Sequence, residues 1–229
     1  MVCLWNYVRK KMATEDELKE IASQLSNPNG IKGIEISNMM NETNAVMTSS
    51  TIDSLKISDN DSILELGPGN GSHLSQILNK SANVKYVGLE ISELMQTEAM
   101  KINQNYIDHH QATFCLYDGK IIPYANDTFD KVMTVNTIYF WQNPNEFIKE
   151  IYRVTKPNGI VSITFAEENF MKKLPFTKFG FQLYTIDKIE KLIHTTHFKI
   201  INVLSKKELI KNNLGEFINR DFVIVIIQK

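Results

Sequence analysis

The chain has 229 residues, with 25 Lys+Arg against 26 Asp+Glu, 43% hydrophobic residues and two cysteines. This length reads as one domain with a small appendage, whose core needs no disulfide or metal staple, so Cys3 and Cys115 are expected as free thiols of a cytoplasmic protein. A near-neutral balance in which Lys outnumbers Arg 22 to 3 argues against a nucleic-acid partner. No apolar run approaches the ~18 residues of a membrane span, and Met1–Trp5 lacks the basic start and apolar core of a signal peptide.

The first element is a helix with its own start signal. Thr14 and Glu17 make a Thr-x-x-Glu capping box, and Leu18, Ile21, Ala22 and Leu25 follow at helical spacing. The turn formers Ser26-Asn27-Pro28-Asn29-Gly30 stop it. A second helix is expected over about Ile34–Leu55, rich in Met (Met39, Met40, Met47) and Asn (Asn38, Asn41, Asn44). Having no strands of their own, these helices read as a cover, residues 1–57, on a domain of residues 58–229. From Ser62 short apolar runs alternate with longer helical ones, which predicts an α/β fold with a mostly parallel sheet. Strands are expected at Ser62–Leu66, Val84–Glu90, Ala112–Tyr117, Phe129–Val135, Ile160–Ala166, Lys199–Leu204 and Phe222–Gln228. Helices are expected at Ser72–Asn79, Ser92–Tyr106, Asn145–Tyr152 and Ile186–His194. Lys206–Phe217 is short and polar, so the last two strands are expected to pair antiparallel as a hairpin-like edge.

The strongest local signal is Glu65-Leu-Gly67-Pro68-Gly69-Asn-Gly71, where a buried strand runs into a glycine turn that opens a helix. Such a turn lets a ligand approach the backbone and presents free N–H groups. A dinucleotide fingerprint counted from Gly67 requires glycine where Ser72 stands, and no Gly-Lys-Ser/Thr follows for a phosphate loop. The competing reading is a tight turn that holds nothing. Glu90 ends the next strand, 23 positions after Gly67, where a carboxylate can accept from the vicinal hydroxyls of a ribose. Asp118 ends a third strand; it can accept from an adenine amine, or merely form the Asp118-Gly119 turn.

Those motifs, with Asp127-Thr-Phe-Asp-Lys-Val132 and Glu150-Ile-Tyr-Arg-Val-Thr-Lys-Pro-Asn-Gly159, resemble the class I S-adenosylmethionine-dependent methyltransferases, and within them the small-molecule branch labelled type 11. The resemblance implies a Rossmann-like seven-stranded sheet of order 3-2-1-4-5-7-6 with the last strand antiparallel. It implies S-adenosyl-L-methionine as cofactor and a small-molecule methyl acceptor. Gly67, Gly69 and Gly71 would lie against the methionine part, with Glu65 and Pro68 in the same turn. Glu90 and the following Ile91 would hold the ribose end, Asp118 and Gly119 the adenine, and Asn136 the methionyl moiety. Asn158 stands where the family's loop usually has a second glycine, a turn substitution that Asn tolerates. Asn136-Thr-Ile-Tyr139 is similar to the Asn-Pro-Pro-Tyr of amino-group methyltransferases but lacks both prolines, so base or amide methylation carries little weight.

Half of the 22 aromatics lie between Tyr139 and Tyr184. Some must be core. Others, after the fifth strand, would sit over a pocket at the strand ends, with Tyr139, Trp141 and Phe181 as substrate-side candidates for an apolar or aromatic acceptor. Met40 and Met47 join them if the Met-rich helix closes over the cofactor; the plainer reading of that helix is core packing. No catalytic base is singled out, since a sulfonium is already an activated methyl donor and alignment does most of the work. His73 is read either as lying near the cofactor carboxylate or as a solvated helix-start side chain, and no metal site is expected from the five histidines. Two alternatives remain open: a catalytically silent module that binds the cofactor, and a nicotinamide-dependent oxidoreductase.

Overall fold

Thr14 opens the first helix as its spacing predicts. In a computed structural model that describes residues 13–211 and 217–229, its backbone N–H donates to Glu17 Oε2 at 2.8 Å, and its Oγ1 accepts from the Glu17 N–H at 3.3 Å. Cys3 and Met1–Trp5 lie outside the described residues, and Cys115 is a free, partly buried thiol. Helix α1 runs Glu15–Ser26 and buries Ile21 and Ala22. Its C-terminal half packs toward a turn at Pro175–Lys178. Thr14→Ala is expected to cost about 1 kcal/mol, read as roughly fivefold faster amide hydrogen exchange within Glu15–Ser26.

Helix α2 covers Gly30–Ser54, starting one turn before the expected Ile34. A Cβ on Gly33 would sit 2.9 Å from both the Pro28 backbone and a Leu94 methyl, so only glycine lets the helix start this close to its neighbours. The hydroxyls of its second half explain why so polar a stretch is buried. Thr51 Oγ1 pairs with Thr164 Oγ1 at 2.6 Å and Ser54 Oγ with Ser162 Oγ at 2.8 Å, hooking α2 onto the sheet through satisfied polar contacts.

The sheet has the order β3-β2-β1-β4-β5-β7-β6, with β7 antiparallel to both of its neighbours. Its strands are β1 Ser62–Leu66, β2 Lys85–Glu90, β3 Ala112–Leu116, β4 Phe129–Val135, β5 Thr155–Ala166, β6 Lys199–Lys211 and β7 Phe217–Gln228. Between them lie α3 Leu74–Leu78, α4 Glu93–Ile102, α5 Gln104–Asp108, α6 Pro144–Val154, α7 Glu168–Met171 and α8 Ile186–Ile193. Strand alternation divides the core between two faces: Ile63 packs with Leu74, Ile77, Tyr86 and Phe114, whereas Leu64 and Leu66 pack with Val132, Ile148 and Ile163.

Four boundaries differ from expectation. The helix expected over Ser92–Tyr106 is broken at Asn103, whose side chain donates to Gly71 O and Ala99 O instead of leaving the helix backbone undisturbed. Helix α3 is shorter than Ser72–Asn79, because the Gly71 turn still holds Ser72 and His73. Strand β5 starts five residues early, Thr155 pairing with Phe129 before a register shift, and Asn158 takes the left-handed φ of +64° that its turn demands. Strands β6 and β7 extend to Lys211 and back to Phe217, a ribbon whose polar pairs Lys207–Asp221 and Glu208–Arg220 support each other across the strands.

Register places the site. Leu66 is level with Leu89 of β2 and with Thr134 of β4, so the turn after β1, the end of β2 and the loop after β4 meet at one edge. There β1 connects to one side and β4 begins the other, the switch point at which open α/β sheets bind ligands.

Candidate cofactor site and acceptor chamber

Two adjoining cavities occupy that edge. One, of about 240 Å3, lies against the glycine turn; the other, of about 140 Å3, lies between α2, the segment after β5, and the β6–β7 ribbon. They share Leu25, Met40, Asn44, Asn136 and Phe140 as a common wall.

The larger cavity is lined by Glu65, Gly67, Pro68, Gly69, Glu90, Ile91, Gly119 and Asn136 of the expected cofactor set. Gly67 has φ +73°, and a Cβ there would stand 2.5 Å from Thr137 Cγ2. Gly69 has φ +59°, and a Cβ there would meet nothing within 4 Å. The turn therefore presents bare backbone to the cavity. Gly71 stands behind it, pressed to the Phe114 ring, where a Cβ would come within 3.0 Å. Asp118 does not line the cavity; its Oδ1 accepts from the N–H groups of Lys120 and Ile121, which hold its pKa below the usual carboxylate value.

Glu90 is 5% exposed at the tip of β2. Its Oε1 accepts from the Ile91 and Ser92 N–H groups at 2.8 and 3.0 Å, and its Oε2 from the Gly69 N–H at 2.9 Å, which leaves acceptor capacity on Oε2. Burial pushes its pKa up, against the pull of the three backbone donors and with a further push from Glu65. Glu65 is 2% exposed and accepts from Tyr86 Oη at 2.7 Å and pairs with His73 Nε2 at 2.8 Å. His73 is thus a partly buried partner of Glu65 on the cavity wall. Burial lowers its pKa, but the charge and hydrogen bond of Glu65 outweigh that and leave it raised.

Asn136 holds the junction with a left-handed φ of +59°. Its Nδ2 donates to Asn44 Oδ1 at 3.2 Å and its Oδ1 accepts from Tyr139 Oη at 3.0 Å. Of the substrate-side candidates, Met40 lines both cavities, Trp141 the larger, and Tyr139 and Phe181 the smaller. Met47 lines neither; it is fully buried in the core behind Asn136. The smaller cavity is otherwise walled by Met39, Phe170, Met171, Leu174 and Phe176, with Phe181 edge-on to Phe140 at 4.6 Å. Burial keeps the Tyr139 pKa well above its ordinary value, so the phenol stays protonated.

Among the lining residues that sequence reasoning did not single out are Arg220, Thr43 and Ile210. Arg220 lines the apolar cavity from β7 and is 6% exposed. Its one available signal was scarcity, as one of three arginines. Among the described residues, no group of three or more His, Cys, Asp or Glu side chains is placed to hold a metal ion, and no helix is long and apolar enough to cross a membrane.

A glycine turn and a strand-end carboxylate at the switch point of a 3-2-1-4-5-7-6 sheet define a nucleotide-type cofactor fold. The methyltransferase-domain family of type 11 matches residues 64–163. The Bacillus subtilis protein described as the uncharacterized methyltransferase YdaC is 32% identical over 127 residues, 55% of this chain and 67% of that protein. A demethylmenaquinone methyltransferase from Lactobacillus johnsonii is 27% identical over 175 residues, 69% of each chain. Two other curated methyltransferases are matched over only 46% and 59% of their own lengths. The fold is similar to that of an S-adenosylmethionine-dependent methyltransferase from Aquifex aeolicus, with a TM-score of 0.62 at 15% identity over 91% of this chain and 97% of that one. This chain belongs to the class I S-adenosylmethionine-dependent methyltransferases.

Proposed function

We propose that the chain transfers a methyl group from S-adenosylmethionine to a small molecule whose apolar or aromatic body occupies the smaller cavity. The observation that carries this reading is the adjacency of the two cavities across Asn136: the more polar one, floored by bare glycine backbone and Glu90, and an apolar one walled by Met and Phe side chains. The larger cavity fits the cofactor. The open Cβ position of Gly69 leaves room for a ligand against the turn, and Glu90 offers a desolvated carboxylate to a ribose diol. Ile91, Tyr117 and Gly119 offer an apolar bed for adenine. Glu65 and His73 give the cavity wall a hydrogen-bonded carboxyl–imidazole pair, suited to the amino and carboxylate groups of an amino acid.

Held there by Glu90 and the glycine turn, the cofactor would supply an electrophilic methyl group on a sulfonium, whose leaving group is a neutral thioether. The chain's own residues align and exclude water. Phe140 and Met40 close the wall between the cavities, and Asn136 is locked by Asn44 and Tyr139. The demethylmenaquinone methyltransferase among the relatives, named for an aromatic quinone, supports an apolar acceptor. Family membership sets the nicotinamide reading aside.

S-adenosylhomocysteine is expected to bind in calorimetry, and Glu90→Ala to weaken it roughly 10- to 100-fold, the loss of a charge-assisted hydrogen bond worth ~1.5–3 kcal/mol. Unchanged affinity in that variant would mean the ribose lies elsewhere. A labelled-donor screen of phenols, amines, thiols and fatty acids then identifies the acceptor atom.

A further inference from the structure

Among the described residues, the apolar cavity is lined by one charged side chain, and it is incompletely used. Arg220 Nε and Nη2 donate to Glu208 Oε1 at 2.9 and 2.7 Å, Nη2 also to Thr43 O, and Nη1 to Asn44 Oδ1 at 3.2 Å. These contacts use four of the five guanidinium N–H groups. The remaining Nη1 N–H has no partner among the described residues, on a residue 6% exposed that lines the cavity. Asn44 lies beside it with Oδ1 shared between Arg220 and Asn136, which leaves its amide N–H2 as a second free donor on the wall common to both cavities. A buried donor without an acceptor costs ~1–3 kcal/mol, and more when charged, so the Arg220 N–H, with the half-buried Asn44 amide beside it, is matched by a ligand that brings acceptors only.

The other titratable group lining this cavity is Tyr139, which is protonated and donates to Asn136. An acceptor that had to lose a proton finds no base here; one that arrives ionised needs none. Glu208, opposite Arg220 on the neighbouring strand, balances the guanidinium in the free protein but engages it through one oxygen and from one side.

We propose that Arg220 and Asn44 form an oxyanion seat that selects acceptors with an ionised carboxylate on an apolar body, the carboxylate lying at the junction of the two cavities. This rests on the methyl-transfer reading and names its acceptor class. Arg220 is then a specificity residue; a plain structural clamp between α2 and the ribbon would hold Thr43 and Asn44 without preferring any ligand.

The test uses the full chain saturated with S-adenosylhomocysteine and titrates cinnamate, 3-phenylpropanoate and octanoate, each against its primary amide, alongside 4-propylphenol. In the wild type at least one acid is expected to bind tenfold or more tighter than its amide. Arg220→Gln is expected to bring that ratio near one while S-adenosylhomocysteine affinity stays within about twofold. Glu208→Gln frees the guanidinium and is expected to tighten the acid severalfold; if Arg220→Gln does not fold, this variant decides, since a clamp role predicts no tightening. The proposal is overturned if no acid binds saturably, if acid and amide bind alike, if the phenol outbinds every acid, or if the preference survives in Arg220→Gln. Failure to bind S-adenosylhomocysteine at the outset would instead sink the cofactor reading.

Discussion

Gly67→Ala is expected to destabilise the chain by about 2–5 kcal/mol in urea denaturation and to abolish measurable S-adenosylhomocysteine binding. Two costs add. A non-glycine residue at φ +73° costs ~1–2 kcal/mol, and a Cβ 2.5 Å from Thr137 Cγ2 overpacks a filled site for ~1–3 kcal/mol more. Thr137 cannot simply rotate away, because its Oγ1 is held by Thr134 Oγ1 and accepts from Trp141 Nε1 at 3.2 Å. Gly69→Ala is the control: it meets no atom within 4 Å, so it carries the conformational cost alone and projects its methyl into the ligand's place. A loss below about 1 kcal/mol in Gly67→Ala would show that the Thr137 wall yields.

Glu65→Ala is expected to cost about 2–4 kcal/mol, because it strands the buried Tyr86 Oη and removes the partner of the partly buried His73. The pH dependence identifies the pair. His73 binds its proton more tightly in the folded chain than at its ordinary value of 6.5, so its contribution is fully present below about pH 6.5 and is lost as pH rises through the folded pKa. The urea midpoint of the wild type should therefore decline on going up from pH 6.5, and this component of the slope should vanish in both Glu65→Gln and His73→Gln. A slope that persists in both variants would remove the pair from the account.

The parallel half of the sheet was legible because strands covered on both faces read as short continuous apolar runs, as Ile63-Leu64 and Val132-Met133 do. The outer ribbon was not. Lys206-Lys207-Glu208 and Asn219-Arg220-Asp221 have the composition of a loop, and they become strand only because each half pairs with the other. The same contrast holds at the site. The cofactor end is forced by backbone geometry and by a buried carboxylate, which leave Gly67, Gly69 and Glu90 as short-range marks in the sequence. The acceptor end is walled by apolar side chains from distant segments, and nothing local separates a Met that lines a cavity from one that fills the core. Met40 and Met47 lie on the same helix, yet one borders both cavities and the other is fully buried. Arg220 escaped for a further reason: its partners are Glu208 on the next strand and Thr43 and Asn44 on α2, and no spacing rule joins positions so far apart.

The wall of the apolar cavity has a consequence for inheritance. All its lining residues except Asn136, Tyr139 and Phe140 lie outside residues 64–163, the stretch that the family shares. On the proposed reading, donor recognition and acceptor recognition lie in different stretches of the chain and can diverge at different rates. On that reading, a protein alike in the shared stretch keeps the methyl source and is free to differ in its cover helices, post-β5 segment and terminal ribbon. Grafting those three segments as a set, with Asn44 kept to meet Asn136, is the exchange that would move acceptor choice from one relative to another.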